Sequence, residues 1–236
     1  IRQLNDSVLY IGISTFSLSQ EDCDSVVSAI HAAERNGMPN LIFDVRNNGG
    51  GDAGVEERLT RALMGRTPDR PHTGYLKVNA ASFNSPTLNW IAGDSIFRDF
   101  KPVEGRKGLY QMPTEEDKAK TPSVDSLGYN GRLYVLTDCW SASASAFLAG
   151  TVKRNYRGYI VGRETKSAYH HETCMKFANI ELANSKFTAK IPMVRIVIDE
   201  TVNDRLPALR GVMPDCNIPL TEEEIEIGRA SCRERV

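Results

Sequence analysis

Apolar runs separated by polar turns recur along the chain, and their spacing switches repeatedly between the period of a strand and that of a helix. Residues 8–13 (Val-Leu-Tyr-Ile-Gly-Ile) read as a buried strand. Ser19 then offers a hydroxyl cap with an acid, Asp22, three residues on, which marks a helix start. Val26, Val27, Ile30 and Ala33 follow at helical spacing, and Gly37 and Pro39 supply the stop. Leu41-Ile42-Phe43-Asp44-Val45 is a short apolar run of the kind expected for a strand covered on both faces. Beyond three consecutive glycines, Asp52 caps a second predicted helix whose inner face is Val55, Leu59, Ala62 and Leu63. The alternation returns later: a strand at residues 133–136, a small-residue helix over 144–152, and a strand at 159–161. Strand, helix, strand in that order predicts an α/β fold with right-handed crossovers and a mainly parallel sheet. Residues 186–198 read as extended, broken at Pro192.

Residues 66–130 break the pattern. They carry Pro68, Pro71, Pro86, Pro102, Pro113 and Pro122 and a charged stretch over 115–120, and they read as an irregular excursion of short elements covering the core. Residues 1–228 are therefore expected to form one core with this insertion. The last residues, 229–236, lack apolar periodicity and read as a non-native or disordered tail.

With 236 residues, 41% of them hydrophobic, the chain can bury one sizeable core. A formal net charge of -1 argues against a nucleic-acid binder. No apolar run approaches the ~20 residues of a membrane span. There is no signal peptide in the chain, which opens on Ile1-Arg2-Gln3-Leu4 and reads as a fragment or mature form. The five cysteines (Cys23, Cys139, Cys174, Cys216 and Cys232) form no C-x-x-C pair and no dense framework, so neither a zinc site nor a disulfide scaffold is indicated. No metal or cofactor is expected, and oligomeric state is not encoded in any visible pattern.

Two stretches carry candidate chemistry. In Asp44-Val45-Arg46-Asn47-Asn48-Gly49-Gly50-Gly51-Asp52 a strand runs into glycines and a helix begins. Glycines tolerate positive φ and leave main-chain N–H groups unobstructed, so this turn can present donors to an anion. A bare strand-to-helix turn needs fewer glycines. In Thr137-Asp138-Cys139-Trp140-Ser141-Ala142-Ser143-Ala144-Ser145-Ala146 a run of small residues follows a strand and opens a helix. A hydroxyl there lies beside free N–H groups at the positive helix end, which favours developing negative charge. Serines that merely cap the helix would look the same.

Together the two stretches resemble the signature of the tail-specific (C-terminal processing) serine peptidases. The resemblance runs through Leu41 to Gly51, Tyr134-Val135-Leu136-Thr137 with Ser141-Ala142-Ser143-Ala144-Ser145, and Ile160-Val161-Gly162-Arg163-Glu164-Thr165, and continues to Gly211-Val212-Met213-Pro214-Asp215. The later motifs look more like the tricorn-like and Bacteroidetes-type members than the Ser/Lys branch. The resemblance implies a crotonase-like (ClpP-like) βα core, Ser143 as nucleophile, and oxyanion donors from the N–H of Ala144 and of Gly49 or Gly50. It also implies polypeptide substrates, taken as unstructured C-terminal ends that bind as an added strand, and a periplasmic or cell-envelope location.

The general base breaks the pattern. The lysine of the Ser/Lys branch falls here on Ala168, and the acid that supports it falls on Arg154. Lys166 lies two residues before that place, and His170 and His171 lie just after it, so each is a candidate base. A third possibility is a histidine supplied from upstream of Ile1, or a member that has lost activity. His31 reads as a helix-face residue, and His72 sits in the proline-rich excursion without a signal.

Three rival readings are weaker. Gly49-Gly50-Gly51-Asp52-Ala53-Gly54 fits G-x-G-x-x-G, but the required second strand would fall on Thr67-Pro68-Asp69-Arg70-Pro71, which is no strand. No Gly-Lys-Ser/Thr follows the glycines, which excludes a P-loop, and there is no H-E-x-x-H helix. A non-catalytic binder of peptide ends, keeping the cradle without a base, stands as the alternative to an active serine endopeptidase.

Overall fold

A computed structural model describes residues 1–65, 73–77, 88–90, 100–112, 128–182, 184–204, 207–219 and 221. The chain divides into two compact units. The first comprises Ile1–Arg70, Ser123–Tyr169 and Thr201–Val236, and the second Pro71–Pro122 and His170–Glu200.

In the first unit the order is β1 (Arg2–Asn5), β2 (Val8–Gly12), α1 (Gln20–Arg35), β3 (Asn40–Asp44) and α2 (Ala53–Leu63). In the second unit β4 (Thr73–Lys77), β5 (Leu88–Trp90), β6 (Lys101–Pro102) and β7 (Leu109–Gln111) follow. The chain then returns to the first unit for β8 (Arg132–Thr137), α3 (Ala144–Arg154) and β9 (Gly158–Gly162). It adds β10 (His171–Glu181) and β11 (Thr188–Val197) to the second, and closes the first with β12 (Cys216–Asn217).

The helix starts follow their sequence signals. The Ser19 hydroxyl accepts from the Asp22 amide at 3.1 Å and donates to the Asp22 carboxylate at 2.6 Å. Asp52 Oδ1 accepts from the amides of Gly54 (2.8 Å) and Val55 (3.0 Å), satisfying two donors that a helix start leaves over.

The first sheet runs β1-β2-β3-β8-β9-β12, with β1 antiparallel and the rest parallel. The three helices bury one of its faces. Ile11, Leu41, Phe43, Leu133, Val135 and Ile160 meet Val27 and Ile30 of α1, Leu59 and Leu63 of α2, and Leu148 and Val152 of α3 in one cluster. On the face of β3 away from the helices Ile42 is partly buried. On that face the register aligns Tyr10, Ile42, Tyr134 and Tyr159 across four strands. Tyr159 is 59% exposed there, and its ring stacks on Tyr134.

The edge is secured by a buried charge. Lys153 on α3 is buried, and its Nζ donates to the Met213 carbonyl at 2.8 Å and the Asp215 carboxylate at 2.7 Å. The other Asp215 oxygen accepts from the Ile160 amide at 2.9 Å. Asp215, just ahead of the edge strand β12, thus ties the end of α3 to the neighbouring strand β9.

The second unit is an antiparallel sheet in the order β5-β10-β11-β4-β7-β6. Its spine is the long hairpin of β10 and β11, paired from His171↔Val197 to Glu181↔Thr188. Among the described residues, Leu76, Val194, Ile196 and Ile198 are its buried apolar side chains. Two expectations change here. Of the described residues in 66–130, β4 and β5 pair with the hairpin and β7 and β6 extend the sheet from β4, while residues 128–130 belong to the first unit. Pro192 does not break the extended stretch; it pairs with Phe177 next to a register shift, where a missing N–H is tolerated. The tail at 229–236 lies outside the described residues.

Asp215→Ala strips a carboxylate from a buried ammonium, a change that costs on the order of 3–5 kcal/mol. Urea unfolding of the variant is expected to show a loss of that size, and no loss would remove the clamp.

Candidate active site

Ser143 ends the turn that leaves β8 and caps α3, and it is partly exposed. Its backbone sits at φ 51°, ψ −122°, a region that costs an L-residue about 1–3 kcal/mol and persists only where neighbours enforce it. The turn is built on Asp138, which is 1% exposed. Its carboxylate accepts from the amides of Asn47 (3.1 Å), Trp140 (2.9 Å) and Ser141 (3.0 Å), so main-chain donors neutralise a buried charge. The Ser141 hydroxyl accepts from the Asp138 amide and donates to the Val45 carbonyl at 2.8 Å, joining the ends of β3 and β8.

Asn48 joins the glycine turn to the serine turn. It is fully buried. Its carbonyl accepts from the Ala142 amide (3.0 Å) and the Ser145 hydroxyl (2.8 Å). Its side chain donates from Nδ2 to the Ile13 carbonyl (3.0 Å), and its Oδ1 accepts from the Gly50 amide (2.9 Å). Gly50 is thereby pressed against Ser143. A Cβ at Gly50 would lie 2.7 Å from the Ser143 Cβ, 3.0 Å from the Ala142 carbonyl oxygen and 3.1 Å from the Ala144 nitrogen, and its φ is +104°. The glycine bend and the serine helix abut, as the sequence motifs require.

The donors differ in availability. The Ala144 amide opens α3 and carries no hydrogen bond among the described residues. The Gly50 amide is committed to Asn48 Oδ1, so of the two turn glycines Gly49 is the one whose amide has no partner among the described residues. A carbonyl oxygen that becomes an anion beside Ala144 would meet a main-chain donor and the positive end of a helix dipole.

The Ser143 hydroxyl makes no hydrogen bond among the described residues. Lys166 does not contact it as a base. Its main-chain amide donates to the Ser141 carbonyl at 2.8 Å, while its ammonium stands 4.8 Å from the ring centroid of Trp140, an indole 48% exposed. His170 belongs to the second unit, where Nδ1 donates to the Asp199 carbonyl at 2.8 Å. His171 begins β10 in the same unit; burial, then the charges of Arg195 and His170, push its imidazole below the ordinary value. Ala168 forms an isolated bridge with Gly211, and Arg154 donates to the Tyr169 hydroxyl at 3.1 Å. His31 lies on α1, half-buried, and His72 lies outside the described residues.

The segment after β9 is stapled to residues 210–212. Thr165 donates its amide to the Val212 carbonyl (3.3 Å) and accepts the Val212 amide on Oγ1 (2.8 Å). Glu164 pairs with Arg210 at 2.5 Å and accepts the Gly211 amide at 2.7 Å. Hydrogen bonding from Arg210, reinforced by Gly211, holds the Glu164 carboxyl below the ordinary carboxylate value. Among the described residues no group of three or more His, Cys, Asp or Glu is placed to hold a metal ion, and no helix is long and apolar enough to cross a membrane.

The family model of peptidase family S41 matches residues 7–217. The chain belongs to peptidase family S41. This S41 chain is similar in fold to the photosystem II D1 C-terminal processing protease, at 20% identity and a TM-score of 0.51 over 89% of this chain and 42% of that one. Mature CPAF in complex with lactacystin matches at 17% identity and a TM-score of 0.61 over 93% of this chain and 48% of that one. A Bacteroides fragilis structure assigned to the S41 proteases matches at 17% identity and a TM-score of 0.51 over 92% and 49%. The S41 chain therefore spans less than half the length of these solved relatives. No curated protein sequence matches it.

Sequence reasoning missed Asn48, Asp138 and Ser167 (which accepts the Ser143 amide at 2.7 Å) as parts of the site. Asn48 two residues before Gly50 is a side-chain turn signal that the glycines overshadowed. Asp138 after a strand, three residues ahead of Ser141, is a weaker one. Ser167 carries no local signal.

Gly50→Ala would force a methyl onto Ser143 at a φ that disfavours it. Labelling of Ser143 by a fluorophosphonate is expected to fall at least ~10-fold, as for loss of a well-placed catalytic group. A separate outcome concerns Glu164. Its folded pKa lies below the unfolded one, so its contribution is full above the ordinary 4.5 and is lost as pH falls through the folded value. Glu164→Gln is expected to flatten the acid limb of unfolding free energy against pH between the ordinary 4.5 and the folded value.

Proposed function

We propose that the chain is the catalytic core of a serine protease of the C-terminal processing kind that passes through an acyl-enzyme on Ser143. The observation that carries this reading is the contact of Gly50 with Ser143, with the uncommitted Ala144 amide alongside. In the reaction Ser143 Oγ attacks the scissile carbonyl carbon, and the hydroxyl proton passes to a base. The carbonyl oxygen takes up negative charge beside the Ala144 amide, with the Gly49 amide as second donor. Collapse expels the protonated amine and leaves an ester, and water then releases the acid and restores the serine. Loss of one such amide donor costs ~3 kcal/mol of transition-state stabilisation.

The base in this reading is a histidine brought by a part of the protein outside these 236 residues. The Ser143 hydroxyl, which has no hydrogen-bond partner among the described residues, supports that source over Lys166, whose ammonium lies against Trp140. We read the fold as crotonase-like. The substrates are unstructured polypeptide ends that dock as an added strand, and the protein works in the periplasm or cell envelope. The same hydroxyl, without a partner among the described residues, favours a second reading, a peptide-binding homologue without turnover.

Reaction of the full-length protein with a fluorophosphonate separates the two. The protease is expected to form an adduct at Ser143 that Ser143→Ala abolishes; absence of an adduct on the intact protein favours the binder.

A further inference from the structure

We infer that Ser167 is a positioning residue for the nucleophile: its hydroxyl oxygen holds the main-chain amide of Ser143 and so fixes the strained seryl backbone that presents Oγ at the mouth of α3. The inference rests on the acyl-enzyme reading above and adds to it a residue outside the nucleophile and its donors.

The strain requires a restraint on each side of Ser143. On the carbonyl side the Phe147 amide donates to Ser143 at 2.9 Å, the first turn of the helix. On the amide side no helical partner exists, because the first N–H groups of a helix have no carbonyl to reach. The Ser143 amide finds Ser167 Oγ instead, at 2.7 Å and 24 residues further along. That short bond sits at the peptide whose rotation would return Ser143 to an ordinary conformation.

Ser167 can act this way because its own backbone is held on several sides. Arg163 donates its amide to the Thr137 carbonyl (2.9 Å), Lys166 to that of Ser141 (2.8 Å), and Tyr169 to that of Arg210 (2.9 Å). Thr165 Oγ1 donates to the carbonyl of Ser167 itself at 3.0 Å. Lys166 and Ser167 therefore grip two polar groups of the serine turn on either side of Ala142, the Ser141 carbonyl and the Ser143 amide, from one strap. A catalytic group held by such supports keeps its geometry; one left to a mobile loop does not. Ser167 Oγ accepts in this bond and donates no hydrogen bond among the described residues, so its proton is available to a water or a substrate oxygen.

The test compares Ser167→Ala and Ser167→Thr with the wild type in the full-length protein, using a peptidyl phosphonate that labels Ser143. The alanine variant is expected to lower the maximal labelling rate ~10-fold or more, the effect of removing one good hydrogen bond. Its non-covalent affinity for the probe and its thermal midpoint should change little, and the threonine variant, which keeps an Oγ, should recover most of the rate. Equal rates for alanine and wild type overturn the inference while leaving the protease reading intact. A parallel fall of affinity and thermal midpoint without rescue by threonine also overturns it. An unlabelled wild type overturns the protease reading. A crystal structure of Ser167→Ala decides the positioning role even then: Ser143 is expected to leave positive φ, and its retention near 51° sinks the proposal.

Discussion

The buried amide and carbonyl of Asn48 are what make two distant stretches of chain into one site. A fully buried asparagine is costly unless its polar atoms are paired, and here the side chain reaches the end of β2 and the glycine bend while the carbonyl takes two donors from the serine turn. Those bonds set the distance between Gly50 and Ser143 more firmly than apolar packing could, because hydrogen bonds are directional and side-chain contacts are not. Leu41, Phe43, Leu133 and Val135 supply the sheet beneath, but they would tolerate a shift of the two turns that Asn48 does not.

Around this hub the molecule spends stability on geometry. Ser143 and Asn47 both adopt positive φ without being glycine, and Asp138 buries a charge. Each is offset by main-chain donors and acceptors, so the turn is costly in parts and satisfied as a whole. The glycines complete the arrangement by absence. At Gly51 a Cβ would lie 2.5 Å from the Ser17 nitrogen and 2.6 Å from the Phe16 carbonyl carbon, so the bend is packed against main chain on a second side as well.

The regular elements were legible because their signals are local. Ser19 and Asp52 cap where their chemistry indicates, and the apolar runs at residues 8–13, 41–45 and 133–136 became parallel neighbours. What escaped the sequence depends on partners far along the chain. β10 pairs with β11 and with β5, and its residues show no clean alternation by themselves, so the second unit could not be separated from the first. The approach of the glycine bend to Ser143 was readable from motifs. Its supports, Asn48, Asp138 and Ser167, were not, since a buried polar side chain declares its role only when its acceptor or donor is in view. The family is settled by the match over residues 7–217, yet the departure at Ala168 is visible in both sequence and fold.

The staple between residues 163–169 and 210–215 has a consequence for biosynthesis. Arg210, Gly211, Val212 and Asp215 leave the ribosome well after Ser143 and Ser167 have done so. Until they arrive, Glu164 and Thr165 lack the strand that braces them and Lys153 lacks its carboxylate. A nascent chain that already displays Ser143 therefore still lacks the braces of the 163–169 segment, and translation order sets the sequence in which these supports lock.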